Sequence, residues 1–294
     1  MAVYAAGVWL LAGLMTEQWY AQLAILFIST YLMVELNNTN ALLHMYSRMV
    51  SCSFLALSSM AVFLIPSVRT SICILCLIMF CTIIFHTYQD KSSPGLTFYA
   101  FLCLGIASTV FVQILFFVPF LWLIMRFYLM AFSGRMMLAS LMGLITPYWL
   151  LIVPAFYFGK ADLLLNHFTA IAQFQPVFQY QFLTWNQIVT FIFVAILALQ
   201  SICHYILKSR LDRIRTRMIY HSFIALDILI IVFIILQPQH FNVLFGMMIM
   251  CTSPMTAHFI THTHSRFSNI TFYITLTILL LITAFNLWMP SSTF

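Results

Sequence analysis

Six acidic residues are all that this 294-residue sequence offers for carboxylate chemistry, so their placement carries weight. Asp227 lies ten residues past Arg217, about 15 Å along a helix and near the middle of a long apolar run. An aspartate at mid-bilayer costs roughly 2.5–3.5 kcal/mol on insertion scales, so it must face a partner or a cavity. Two chemistries fit. One is a proton relay, ion site or polar substrate contact. The other is a protonated or hydrogen-bonded acid that ties helices together. Gln113 and Gln200, deep in other apolar runs, are the candidate partners. Glu17 and Asp162 form a second set, each the only acid in its expected external loop. With His167 or His240 they are the ionisable groups of that face able to do acid–base catalysis. A solvated turn and a helix-end charge explain the same two acids without catalysis.

His258-x-x-x-His262-x-His264 has the spacing by which residues four apart share a helix face and hold a metal. No Cys, Asp or Glu stands close in sequence to complete the set. The three histidines also suit the end of a span beside Arg266, so no metal is assigned. Cys73-x-x-Cys76 lies within an apolar span and, like the other five cysteines, reads as small buried side chains. No nucleophile elbow, phosphate loop, HExxH or dinucleotide fingerprint occurs, and no cofactor is expected.

The elements that position these residues are membrane helices. The chain is 64% hydrophobic and 6% charged, against about 25% charged in a soluble domain. The net charge of +6 is no sign of nucleic acid, because the basic residues fall between apolar runs. Residues 208–217 carry five of the twelve Lys and Arg, and sit between runs at 185–207 and 218–236. Each run is long enough to cross about 30 Å of hydrocarbon. Positive charge marks this loop as cytoplasmic. Counting outward gives a single all-α integral domain over residues 1–294, a polytopic bundle of about eleven crossings. The N-terminus is inside, the C-terminus outside, and residues 159–186 form an aromatic-rich external loop. Ten of the twelve basic residues then fall inside. In the polar stretch 35–49, Asn37, Asn38 or Thr39 is expected to cap a short interfacial helix with Leu42, Leu43 and Met45 toward lipid.

Residues 96–125 contain thirty residues without a charge. One helix of that length would run about 45 Å, too long for one crossing. Both flanks are basic (Lys91; Arg126 and Arg135) and belong on one side. The stretch therefore predicts a short or re-entrant hairpin that turns within residues 108–113. The backbone groups freed there need protein or water partners, since lipid has none.

Phe98-Tyr-Ala-Phe-Leu-Cys-Leu-Gly-Ile-Ala-Ser108, Val118-Pro-Phe-Leu-Trp122, Arg135 and Gly143-Leu-Ile-Thr-Pro-Tyr148 resemble an uncharacterised Bacteroidota family of multi-spanning membrane proteins. Ser253-Pro-Met-Thr-Ala-His258 and Arg266-Phe-Ser-Asn269 also look like that family's final loop. The resemblance implies a bacterial inner membrane and no particular activity. The hairpin between basic loops and Glu17 in the first external loop are also similar to the membrane core of GT-C glycosyltransferases, which use lipid-linked sugars. The acidic pair and soluble domain usual there are missing. The resulting expectation is a scaffold or accessory role in a cell-envelope assembly, with the lipid bilayer and other membrane proteins as partners. The alternatives are a lipid-linked sugar transferase using Glu17 and Asp162, and a proton-coupled or small-solute carrier built around Asp227.

Overall fold

The computed structural model describes residues 1–43, 47–159, 161–169, 171, 181, 183–208, 212–262 and 266–288. Among these the chain is all-helical, without a strand. Seven helices are long and apolar enough to cross a membrane. The apolar helices Ala2–Leu11, Met49–Met60, Pro94–Val110 and Val112–Phe127 are shorter. Length and composition thus mark seven candidate crossings among the described residues, fewer than the about eleven counted from the sequence. The chain divides into two compact units, Met1–Ser71 with Phe178–Phe294, and Ile72–Val177.

The first unit contains α1 (Ala2–Leu11), α2 (Leu14–Glu17), α3 (Tyr20–Asn40) and α4 (Met49–Met60). The α5 helix (Val68–Ile84) begins in it and continues into the second unit. The second unit adds α6 (Pro94–Val110), α7 (Val118–Phe127), α8 (Gly134–Tyr157) and α9 (Ala161–Thr169). The first unit resumes with α10 (Trp185–Lys208), α11 (Ile214–Leu236), α12 (Phe241–His262) and α13 (Arg266–Trp288).

In the first unit α12 is the most buried of the long helices and packs on α4, α10 and α11. Side-chain pairs fix the directions. Gln187 bonds Asn242 and His204 packs on His258, so α10 and α12 run parallel. Thr252 bonds Asp227 while Tyr220 packs on His258, so α11 runs antiparallel to α12. The α4 helix ends at Ala61, where ψ of 66° breaks the helix. The Met60 carbonyl freed there accepts from Asn286 Nδ2 of α13 at 2.8 Å. Gln22 Nε2 of α3 donates to the Pro66 carbonyl at 3.3 Å.

The expected capping role of Asn37, Asn38 and Thr39 is not met. All three lie in the last turns of α3, which ends at Ala41 in a left-handed conformation (φ 47°). Asn37 instead staples the following loop. Its Nδ2 donates to Ser47 O and its Oδ1 accepts from Leu43 N. Leu42 and Leu43 are consequently buried rather than turned to lipid, and Met45 lies outside the described residues. The basic loop is also shorter than the sequence indicated. The first turn of α11 takes in Arg215 and Arg217, while residues 209–211 lie outside the described residues.

In the second unit residues 94–127 are two helical arms. The α6 helix stops at Val110, Phe111 is extended (φ −138°, ψ 91°), and a 3-10 segment Val112–Phe117 leads into α7. The break falls within the turn expected from the sequence. Seventeen residues of α6 measure about 25 Å. The return path, six 3-10 residues and ten helical ones, measures about 27 Å. The arms match, and Gln89 N reaches Leu129 O at 2.9 Å across the mouth. Asp90 accepts from the Ser92 hydroxyl and N–H in the adjoining turn, which holds its carboxyl below the usual range.

The α8 helix then runs parallel to α6, as the constant offset of Thr97–Met136 and Ser108–Tyr148 shows. Their backbones meet at two glycines. A Cβ on Gly143 would lie 2.5 Å from Phe98 O, and one on Gly105 would lie 2.9 Å from the Pro147 ring. Gly143→Ala should therefore cost about 1–3 kcal/mol by overpacking. Gly7→Ala, in open space, should leave stability unchanged or slightly raised. Thermal unfolding in one detergent checks the pair, and equal behaviour of the two variants would show that α6 and α8 do not touch so closely.

Candidate functional site

A group of ionisable and hydroxyl-bearing side chains lies at one end of the first unit, where α10 ends, α11 begins and α12 ends. His258, on the last turns of α12, places Nε2 3.3 Å from Asp212 Oδ2. Both side chains are almost fully enclosed, with 3% and 4% of their surfaces exposed. The pair is a salt bridge when the imidazole carries its second proton. Tyr205 of α10 and Tyr220 of α11 stack with centroids 4.5 Å apart. Both rings meet His258 edge to face, at centroid distances of 5.0 and 5.2 Å. The Tyr205 hydroxyl lies beside the Asp212 carboxylate. The Tyr220 hydroxyl donates to Leu42 O at 3.3 Å, and Arg215 Nη2 donates to Asn40 Oδ1 at 3.3 Å. The cluster thus ties α10, α11 and α12 to the loop after α3.

The helices dictate this meeting. In parallel α10 and α12, positions 204 and 205 fall level with 258, and in antiparallel α11 position 220 does the same. Asp212 stands just before α11, where a carboxylate also suits the positive end of the helix dipole. A carboxylate, an imidazole and two phenols can orient and share protons, the elements of general acid–base chemistry. His258 and Asp212 are enclosed among the described residues, and their contacts tie the three helices together.

The other sequence candidates are distributed. Asp227 is fully buried in α11 and accepts from the Thr252 hydroxyl at 3.2 Å, a group shared with Met248 O at 2.9 Å. Its partner is thus Thr252, not Gln113 or Gln200. A threonine on an adjacent helix gives no hydropathy signal, so the glutamines attracted attention instead. Gln113 sits in the 3-10 segment of the hairpin in the second unit. Gln200 borders a small crevice with Leu197, Thr256, Phe259 and Thr275. Glu17 ends α2 and is exposed, and Asp162 is exposed in the first turn of α9. They belong to different units. His240 lies in the 3-10 turn before α12. His167 donates from Nε2 to the Ser108 carbonyl at 2.8 Å, the group freed where α6 breaks.

Of the three spaced histidines, only His258 has a described side chain, and His264 lies outside the described residues. Among the described residues no group of three His, Cys, Asp or Glu could hold a metal. The expectation that no acid stands near His258 is corrected by Asp212, which is 46 positions away in sequence and adjacent in space. A lone acid among five basic residues was the available signal. None of the seven cysteines is in a disulfide.

Comparison with protein-family models, curated proteins and solved structures gives no match.

Asp212→Ala and His258→Ala should each destabilise the protein, and the double variant should lose less than the sum. The coupling should be about 0.5–3 kcal/mol, as for groups in direct contact. Simple additivity in unfolding measurements would dissolve the pair.

Proposed function

We propose that the chain is a multi-spanning protein of a bacterial inner membrane with a scaffold or accessory role in a cell-envelope assembly. The single observation that carries this reading is that its deepest acid is closed off. Asp227 has no exposed surface and is bonded to Thr252 on the neighbouring helix. A carrier needs such a group to meet an ion or a water path. Here the carboxylate holds α11 to α12 instead. The described crevices of the first unit are lined by other residues. Glu17 and Asp162, the acids a sugar transferase would use, are single exposed charges on separate units, which gives that reading no specific support.

In this reading the N-terminus is cytoplasmic and the C-terminus external, supported by ten basic residues on one side against two. The shorter helices complete the eleven crossings, with the two arms of the hairpin entering and leaving on the same side. The partners are lipid and other membrane proteins.

Proteoliposomes containing the purified chain and a trapped pH dye test the proposal. Under a valinomycin-imposed potential, proton entry should match that of empty vesicles. Asp227→Asn should change neither this rate nor the thermal midpoint by more than a few degrees, because an amide still bonds the threonine hydroxyl. Proton flux above background that Asp227→Asn abolishes would replace the scaffold reading with the carrier.

A further inference from the structure

A crevice of about 260 Å³ opens in the first unit between α4, α12 and α13. Its walls are Met49, Cys52 and Ala56 of α4, Ile260 of α12, and Phe272 and Leu276 of α13. The hydroxyls in its lining are mostly withdrawn from it. Thr256 Oγ1 donates to Thr252 O at 2.9 Å, and Thr275 Oγ1 donates to Thr271 O at 2.8 Å. Both threonines therefore spend their polar atoms on their own helix, and Ser53 adds the remaining hydroxyl. No carboxylate, imidazole, guanidinium or lysine side chain lines the space, and Met1 also joins the lining.

Water needs two to four polar partners to stay in such a place and finds too few. Leaving it empty forfeits the dispersion contacts of every lining atom. The space exceeds the apolar cavity of roughly 150 Å³ that takes up benzene. It is nonetheless too small for a long polyprenyl chain. Two of its walls, α12 and α13, belong to helices long and apolar enough to cross a membrane, so in a bilayer its mouth would meet hydrocarbon. Met49 is the first residue of α4, so this end of the crevice reaches the end of a helix. The residue before it in the chain, Arg48, is exposed and lies outside the lining. A cation at the end of an apolar slot matches a phosphate joined to an acyl chain.

We propose that this crevice binds one acyl chain of an anionic phospholipid, with its phosphate against Arg48. The site is distinct from the Asp212–His258 tie and from Asp227, and it stands whether or not the scaffold reading does. It gives the first unit a lipid taken from the surrounding bilayer and held between its helices.

The full chain is reconstituted in phosphatidylcholine vesicles with a trace of phosphatidylglycerol carrying a diazirine on its acyl chain. After irradiation, adducts are mapped by mass spectrometry. They should concentrate on the crevice-facing residues of α4 and α13, several-fold above the exposed apolar face of α8. Unlabelled phosphatidylglycerol should compete several-fold better than phosphatidylcholine. Arg48→Gln should remove that headgroup preference. Cys52→Phe should fill the slot and lower the adducts several-fold, and Leu276→Phe serves the same purpose from the other wall if the first variant unfolds. Adducts spread in proportion to exposed area, or unchanged in both filled variants, would overturn the site. Better competition by polyprenyl phosphate than by phosphatidylglycerol would overturn the assigned ligand.

Discussion

A backbone carbonyl without a partner is costly to this chain in apolar surroundings, since lipid cannot hydrogen-bond it. Long helices avoid the problem, but several helices here are broken or short. Each break frees a carbonyl, and a side chain from another element answers it. Asn286 bonds Met60 O, Gln22 bonds Pro66 O, Asn37 bonds Ser47 O, Tyr220 bonds Leu42 O and His167 bonds Ser108 O. These are the side chains that hydropathy marks as anomalies. Their common role is to let the backbone turn inside the protein.

The hairpin shows the consequence most fully. Its turn at Phe111 ends α6 and leaves the carbonyls of the last helical turn exposed to their surroundings. Phe111 N–H takes Ala107 O, and His167 takes Ser108 O from outside the hairpin. Tyr148 adds a bond to the Ser108 hydroxyl and packs its ring on Phe168. With the turn satisfied, α6 can lie against α8 closely enough that two glycines are required. The same economy governs the first unit. Asp227 and the Asp212–His258 pair are costly to bury, and each is enclosed with a partner rather than opened to a solute.

What was legible in the sequence follows from this. Long apolar runs and the charge-free length of 96–125 forced helices and a break, because length and hydropathy are local properties. The turn could be placed within a few residues for the same reason. The meeting of Asp212 with His258 was not legible, because it depends on which helices are parallel and on the level at which they stop. Leu42 and Leu43 were assigned to lipid because their neighbours are polar, but those neighbours staple the loop inward. Helices such as α1 and α4 count as crossings from their apolar runs, although each is shorter than the seven helices of spanning length. The side chains of Gln22 and Asn286 carried no sequence signal beyond being polar in apolar runs, since their targets are carbonyls that any residue possesses.

The most direct test replaces the carbonyl-bonding side chains with apolar ones of similar size and measures unfolding free energy in bicelles. The set is Gln22→Leu, His167→Leu, Tyr220→Phe and Asn286→Leu, with Leu→Ile changes at lipid-exposed positions as controls. Each should cost about 1–3 kcal/mol, because a buried acceptor is left unpaired. Losses no larger than those of the controls would contradict the account, since the freed carbonyls would then have no need of these partners.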